Sequence, residues 1–209
     1  MISIDYARRR ARGGTGVIPP NSTQWENEHN ALDVRESLGV GPDDPLPSIT
    51  SVYDKLLPSV TILPHGNIAA AGVFLDHFRG AGRTSWSGLA MTMDDGSIWV
   101  IYNDTHPDSR NRVTLMEEFF HIYLEHPGAM VRVLPNADSP NRTYDATTER
   151  QAYGCAAAAL VPYSALKRMV SAGATAPRIA AHFQVSRQLV FFRLKVTKLY
   201  RKARRWSSR

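Results

Sequence analysis

The sequence predicts an α+β fold: one substantial domain followed by a helical C-terminal appendage. Residues 59–103 hold short runs rich in β-branched and aromatic residues, divided by turn signals, while the segments on either side carry helical spacing. At 209 residues, 43% hydrophobic and 21% charged, the chain is long and apolar enough to bury a real core. The strands are expected to form a small antiparallel sheet, and the residues after 162 a helix-turn-helix-like subdomain.

In chain order, residues 1–20, with RRRARGGTG and Pro19-Pro20, read as a basic disordered arm. WENEHNALDVRESLGV then places Trp25, Leu32 and Leu38 on one helical face, with Gly39 as its stop. PDDPLPSITSVYDKLLP reads as a loop punctuated by prolines and a short helix carrying Val52, Leu56 and Leu57. The strand candidates are SVTILP, AAAGVFLDHF, SGLAMTM and SIWVIYN, and Asp95-Gly96 is the best hairpin turn because such turns need a positive φ. LMEEFFHIYLEH forms the next helix, stopped by Pro127-Gly128. A second long helix is expected from about Asp145 to Leu160, and Tyr163 to about Arg205 is helical. The resulting division is a basic arm at 1–20, a core domain at 21–162, a helical subdomain at 163–202 and a basic tail at 203–209.

No run approaches the roughly 20 apolar residues that span a bilayer, and MISIDYARRRARGG lacks the apolar region of a signal peptide, so the expectation is a cytoplasmic protein with no membrane partner. The single cysteine, Cys155, rules out an internal disulfide framework and a Cys-rich zinc module. In GCAAAALV it reads as a small buried thiol. The formal charge of +6 is unevenly spread. Residues 187–209 hold nine Lys or Arg and no acid, whereas residues 13–186 hold 12 basic and 18 acidic residues.

The most informative stretch is LMEEFFHIYLEHP, residues 115–127. On a helix Glu117 and His121 stack four residues apart on one face, and Glu118 projects about 100° further round. In an H-E-x-x-H helix that geometry lets two side chains grip zinc while the acid between them serves as general base. Here Glu117 stands at the first ligand position, and carboxylates also bind zinc, with a cost in Lewis acidity. A third ligand is offered by Glu149, 28 residues beyond His121 in the first turn of the second long helix. Taken alone, E-E-x-x-H equally describes an ordinary amphipathic helix with Leu115, Phe119, Ile122 and Tyr123 in the core and its acids solvated. His126 falls about 140° round the helix from His121, which suits capping or a cleft border better than ligation. The other five histidines show no metal spacing.

RVTLMEEFFHIYLEHP resembles the R-F-T-L-A-H-E-L-G-H-x-L-L-H segment of the ImmA/IrrE family of metallo-endopeptidases at Arg112, Thr114, Leu115, Glu118 and His121. ERQAYGCAAAALVP is similar to the family's E-x-x-A-N-x-F-A-x-x-L-L-M-P through Glu149, Ala152, Ala156, Leu160 and Pro162. The departures are Glu117 for His, Phe120 for Gly, Tyr153 for Asn and Cys155 for Phe. The resemblance implies a zincin-like domain with zinc held by Glu117, His121 and Glu149, and Glu118 as the catalytic base. It also implies regulation, by cleavage of a DNA-binding repressor or antitoxin. The competing expectation is a pseudo-peptidase that keeps the fold and binds protein or DNA.

ATAPRIAAHFQVSRQLVFFRLKVTKLY carries a helix-turn-helix pattern, with Ile179, Ala180 and Phe183 on a first helix and Gln184-Val185 at the turn. Ser186 caps a second helix lined by Leu189, Val190 and Leu194. Arg187, Gln188 and Lys195 are the candidates for nucleic acid contact, supported by the basic tail.

Overall fold

Helices α1 (Ser22–Leu38) and α2 (Ile49–Leu56) come first. Strand β1 (Val60–Pro64) and a short 3₁₀ turn at His65–Asn67 follow, then β2 (Gly88–Thr92), β3 (Ile98–Tyr102) and the long helix α3 (Asp108–Tyr123). A two-residue strand β4 (Val131–Arg132) precedes helices α4 (Ala146–Leu160), α5 (Tyr163–Ser171), α6 (Ala176–Phe183) and α7 (Arg187–Val196). This computed structural model describes residues 21–67, 80, 86–93, 95–126, 131–132 and 145–200. The N-terminal arm, the strand candidate AAAGVFLDHF, the loop LPNADSPNRTY and the tail after Tyr200 lie outside the described residues.

The fold class is α+β, as the sequence indicates, but the sheet corrects one expectation: it is mixed, not antiparallel. Its order is β1-β3-β2-β4. Strands β2 and β3 pair antiparallel, Gly88 opposite Tyr102, across the expected turn, where Gly96 has φ 81° and Met93 N–H donates to Ser97 O at 2.8 Å. Strand β1 instead runs parallel to β3, Val60 opposite Ile98, and β4 parallel to β2. The separation along the chain explains this: only β2 and β3 are joined by a short turn, whereas β1 and β2 are connected by 23 residues, ample chain to return before pairing.

Short polar caps set the helix ends. The Asn21 side chain accepts from Gln24 N–H, Asp145 from Thr147 N–H and Ser186 from Leu189 N–H, each satisfying an otherwise orphaned donor. Gly39 closes α1 at φ 72°, and Gln184 takes the left-handed turn between α6 and α7 at φ 56°.

Helix α1 departs from the expected apolar face. It buries Asn27, Glu28, Asn30, Ala31, Val34 and Arg35, while Leu32 is 36% exposed. The polar side chains point inward because they find partners there. Arg35 Nη1 donates to Ala159 O at 2.6 Å, and its Nη2 donates to Gly41 O and Asp44 O. Arg193 of α7 donates from Nε to Val161 O at 2.9 Å and from Nη2 to Glu28 Oε2 at 2.5 Å, while Glu28 Oε1 accepts Tyr163 N–H. Two guanidinium groups thereby satisfy carbonyls at the C-terminal end of α4, the electronegative end of the helix. Burial lowers the Arg35 pKa to about 10, opposed by the charges of Asp44, Glu28 and Asp43.

Helix α4 is packed by α1 and α3, and its small residues permit that. Ala152, Cys155, Ala156 and Ala159 are fully buried, and a Cβ on Gly154 would lie 2.2 Å from Asn27 Nδ2. Cys155 is the buried thiol expected: Asn30 Nδ2 donates to its sulfur at 3.7 Å, and burial pushes its pKa up to about 12.

Glu28 and Arg193 are 5% and 1% exposed, so removing one partner strands a charge. Arg193→Met is expected to lower unfolding free energy by about 3–5 kcal/mol in urea titrations, and Glu28→Gln in the same chain should recover part of that loss. Simple additivity of the two changes would contradict the coupling.

Candidate metal centre

Glu117 and His121 lie one turn apart on α3, and Glu149 sits in the first turn of α4. The packing of α4 on α3 brings the three together. Each offers one ligand atom, and these atoms all lie within 4.8 Å of one another. His121 Nε2 and Glu149 Oε2 are 3.5 Å apart. Tetrahedral ligands about 2.1 Å from a zinc ion stand about 3.4 Å from each other, so this pair has the spacing of a metal chelate, and a Glu117 oxygen lies within 4.8 Å of both. One imidazole and two carboxylates are a donor set that a divalent metal accepts. The residues fit such an ion.

Glu118 is 5% exposed, not solvated as an ordinary amphipathic helix would have it. It lies against the first residue of β2, where a Cβ on Gly88 would stand 3.5 Å from Glu118 Cγ and 2.5 Å from Thr114 Cγ2. Its charge, after burial, helps raise the pKa of the Tyr53 hydroxyl, which donates to Leu115 O. Phe120 fills the core instead of admitting a close backbone: it is fully buried and packs edge-on to Phe119, with centroids 5.4 Å apart. Phe119 and Leu115 are buried as expected, but Ile122 and Tyr123 are only half-buried.

Two further residues border the centre. Tyr153, one turn beyond Glu149, packs edge-on to Phe192 with centroids 4.8 Å apart, and burial and the Glu117 charge raise its pKa. His126 is 8% exposed, and its Nδ1 lies 3.2 Å from Nδ1 of His121 while its Nε2 lies 3.2 Å from Gln151 Oε1. Burial lowers the His126 pKa, against the Gln151 hydrogen bond and the charges of Glu149 and Asp145. The wheel reading that turned His126 away from His121 assumed a continuing helix. The helix ends at Tyr123, and Glu125, at φ 52°, swings the chain back. Pro127, the expected stop, disfavours helical conformation at His126 itself, which the wheel did not take into account.

In comparison with protein families, residues 78–195 match a peptidase family described as the IrrE N-terminal-like domain. The chain belongs to this family. No curated protein and no solved structure gives a significant match. Membership in the IrrE-like peptidase family makes the domain zincin-like and implies a metal ion, and Glu117, His121 and Glu149 are a group that can hold one.

The positions shared with the IrrE-like motif have physical reasons here. Arg112 ties α3 to the loop before α2 by donating to Leu46 O and Pro47 O at 3.0 and 3.1 Å. Thr114 lies under Gly88, and Ala152 and Ala156 give α4 a low-relief surface. No helix among the described residues is long and apolar enough to cross a membrane.

Gly88→Ala is expected to cost about 1–3 kcal/mol of stability by driving a methyl into Thr114. Adding Thr114→Ser removes the opposing Cγ2 and should restore most of the loss in thermal or urea unfolding. An unaltered stability for the single variant would show that β2 does not need that approach.

Proposed function

We propose that the chain is an ImmA/IrrE-like, zinc-dependent metallo-endopeptidase acting in the cytoplasm on a DNA-binding repressor or antitoxin to regulate transcription. The observation that carries this reading is the cluster of Glu117, His121 and Glu149 beside a buried Glu118. The substrate class rests on the family resemblance.

When bound, zinc supplies Lewis acidity that acidifies a water and polarises the scissile carbonyl. The protein's part is positional and acid–base. His121 Nε2 and the carboxylate oxygens of Glu117 and Glu149 hold the ion, α3 supplying two ligands and α4 the third. Glu118, adjacent on α3, accepts the proton of the attacking water at a carboxylate oxygen and returns it to the departing amine. Its side chain lies against β2 at Gly88 and is 5% exposed, largely shielded from bulk water. Glu117 adds negative charge where imidazole would be neutral, which moderates the Lewis acidity and the expected rate.

Purified protein is expected to take up about one equivalent of zinc, as a tetrahedral three-ligand site would. Glu118→Gln should retain it while losing roughly 10²–10⁴-fold in cleavage of an antitoxin or repressor substrate. Failure to bind zinc on titration would remove the peptidase reading and leave the pseudo-peptidase that binds protein or DNA.

A second reading, nucleic acid contact through α7, is favoured by the exposed Arg187, Gln188, Phe191 and Lys195. A cleft of about 1080 Å³ lined by Phe191, Phe192, Lys195, Lys198 and Tyr200 adds aromatic rings beside cations. Arg193 does not contribute, because it is spent on Glu28. If α7 contacts phosphates, Arg187→Ala with Lys195→Ala weakens binding in gel shifts and flattens the salt dependence by about two counterions. An unchanged salt slope argues against it.

A further inference from the structure

We propose that the cleft beside α7 is a docking site for an acidic stretch of polypeptide carrying a large apolar side chain, and that this stretch belongs to the protein substrate. The inference rests on the peptidase reading and deepens it by naming the chemistry of the segment that is recognised.

The cleft, about 1080 Å³, is lined by Phe191, Phe192, Lys195, Lys198 and Tyr200. Phe191 is 48% and Tyr200 43% exposed, and with Leu32 they are the large hydrophobic side chains left exposed among the described residues. Two of the three therefore flank one concave surface, and clustered apolar exposure marks a contact site where scattered exposure does not. The volume is at the upper end for ligand pockets and admits side chains of a docked segment.

The backbone is bent to build this wall. Helix α7 ends at Val196, and Lys198 then adopts φ 58°, a left-handed conformation uncommon in a residue with a Cβ. Lys198 N–H donates to Lys195 O at 3.1 Å, and Leu199, 4% exposed, pins the turn into the core. Tyr200 is thereby delivered to the same cleft as Phe191.

Charge selects the occupant. Lys195 and Lys198 are exposed, and neither forms an ion pair with a described residue. Residues 187–209 contain no acid that could neutralise them. Carboxylates flanking an aromatic or aliphatic side chain complement two lysines set among three aromatic rings.

Position favours a polypeptide over a nucleic acid. Phe192, in the cleft wall, packs edge-on to Tyr153 with centroids 4.8 Å apart, and Tyr153 is one turn along α4 from Glu149. Burial and the Glu117 charge both raise the Tyr153 pKa, which places that carboxylate beside it. A path thus runs from Glu117 and Glu149, past Tyr153 and Phe192, to Lys195 and Lys198. A polypeptide can vary its charge along such a path, with acids only at the lysine end. A nucleic acid carries a phosphate at every nucleotide, and would bring like charge toward the carboxylates at the other end.

A random peptide library panned on the full-length Glu118→Gln protein, so that nothing retained is cut, reads the recognised chemistry. The expected result is enrichment of peptides with Asp or Glu next to Phe, Leu or Trp. Phe191→Ser and, separately, Lys195→Glu alter exposed side chains, and each should weaken the enriched peptides about tenfold in fluorescence anisotropy. No enrichment, enrichment of basic peptides, or affinity unchanged in both variants overturns the proposal. A single-stranded oligonucleotide bound more tightly than the enriched peptides at the same salt gives the cleft to nucleic acid, and overturns it too. Panning needs neither zinc nor cleavage. A chain that takes up no zinc yet enriches acidic peptides keeps the docking site and loses the peptidase, whereas zinc uptake without enrichment does the reverse.

Discussion

The site depends on how closely α4 can lie against α3. Helix separations of about 8–10 Å are set by the side chains at the contact. The 3.5 Å approach of His121 to Glu149 survives only because α4 offers Ala152 and Ala156 there, with no side chain that must be accommodated. Gly154 does the same toward α1. One run of small residues therefore brings a candidate ligand on one helix to a candidate ligand on another. The run also anchors His126, since Gln151 rides on the same helix.

Around that contact the packing is unusually polar. Glu28, Arg35 and Arg193 are nearly inaccessible, and each bonds to a carbonyl, a backbone N–H or the opposite charge. Buried ions of this kind contribute little net stability but tolerate few alternative arrangements. The C-terminal end of α4, beyond the ligand turn, is thus fixed in orientation by α1 and α7, and the orientation of the whole helix follows.

Much of this was legible in the sequence, for identifiable reasons. The grouping of Glu117, His121 and Glu149 was readable because helical spacing relates Glu117 to His121, and a second motif at a set distance supplies Glu149. The β2–β3 hairpin was readable from Asp95-Gly96, and the turn before α7 from its helix-turn-helix pattern, although Gln184 replaces the usual glycine. The inward face of α1 was not, because periodicity counts apolar residues and this helix buries asparagines and charges, several of whose partners lie more than 120 residues away. The strand directions escaped for a similar reason: local runs mark strands, but only tertiary pairing sets β1 beside β3. His126 was misplaced by extending a helical wheel past the helix end.

The Glu28–Arg193 pair has a consequence for assembly. Its partners are 165 positions apart, so the carboxylate of the first helix waits for nearly the whole chain to be made before its counterion exists. Contacts between residues so distant in sequence gain no local assistance, which slows their formation relative to helix-internal ones. Without that counterion, Glu28 is a charge that favours water over the end of α4. The packing of the helices that carry the candidate ligands therefore depends on a residue of α7 that is not among those ligands.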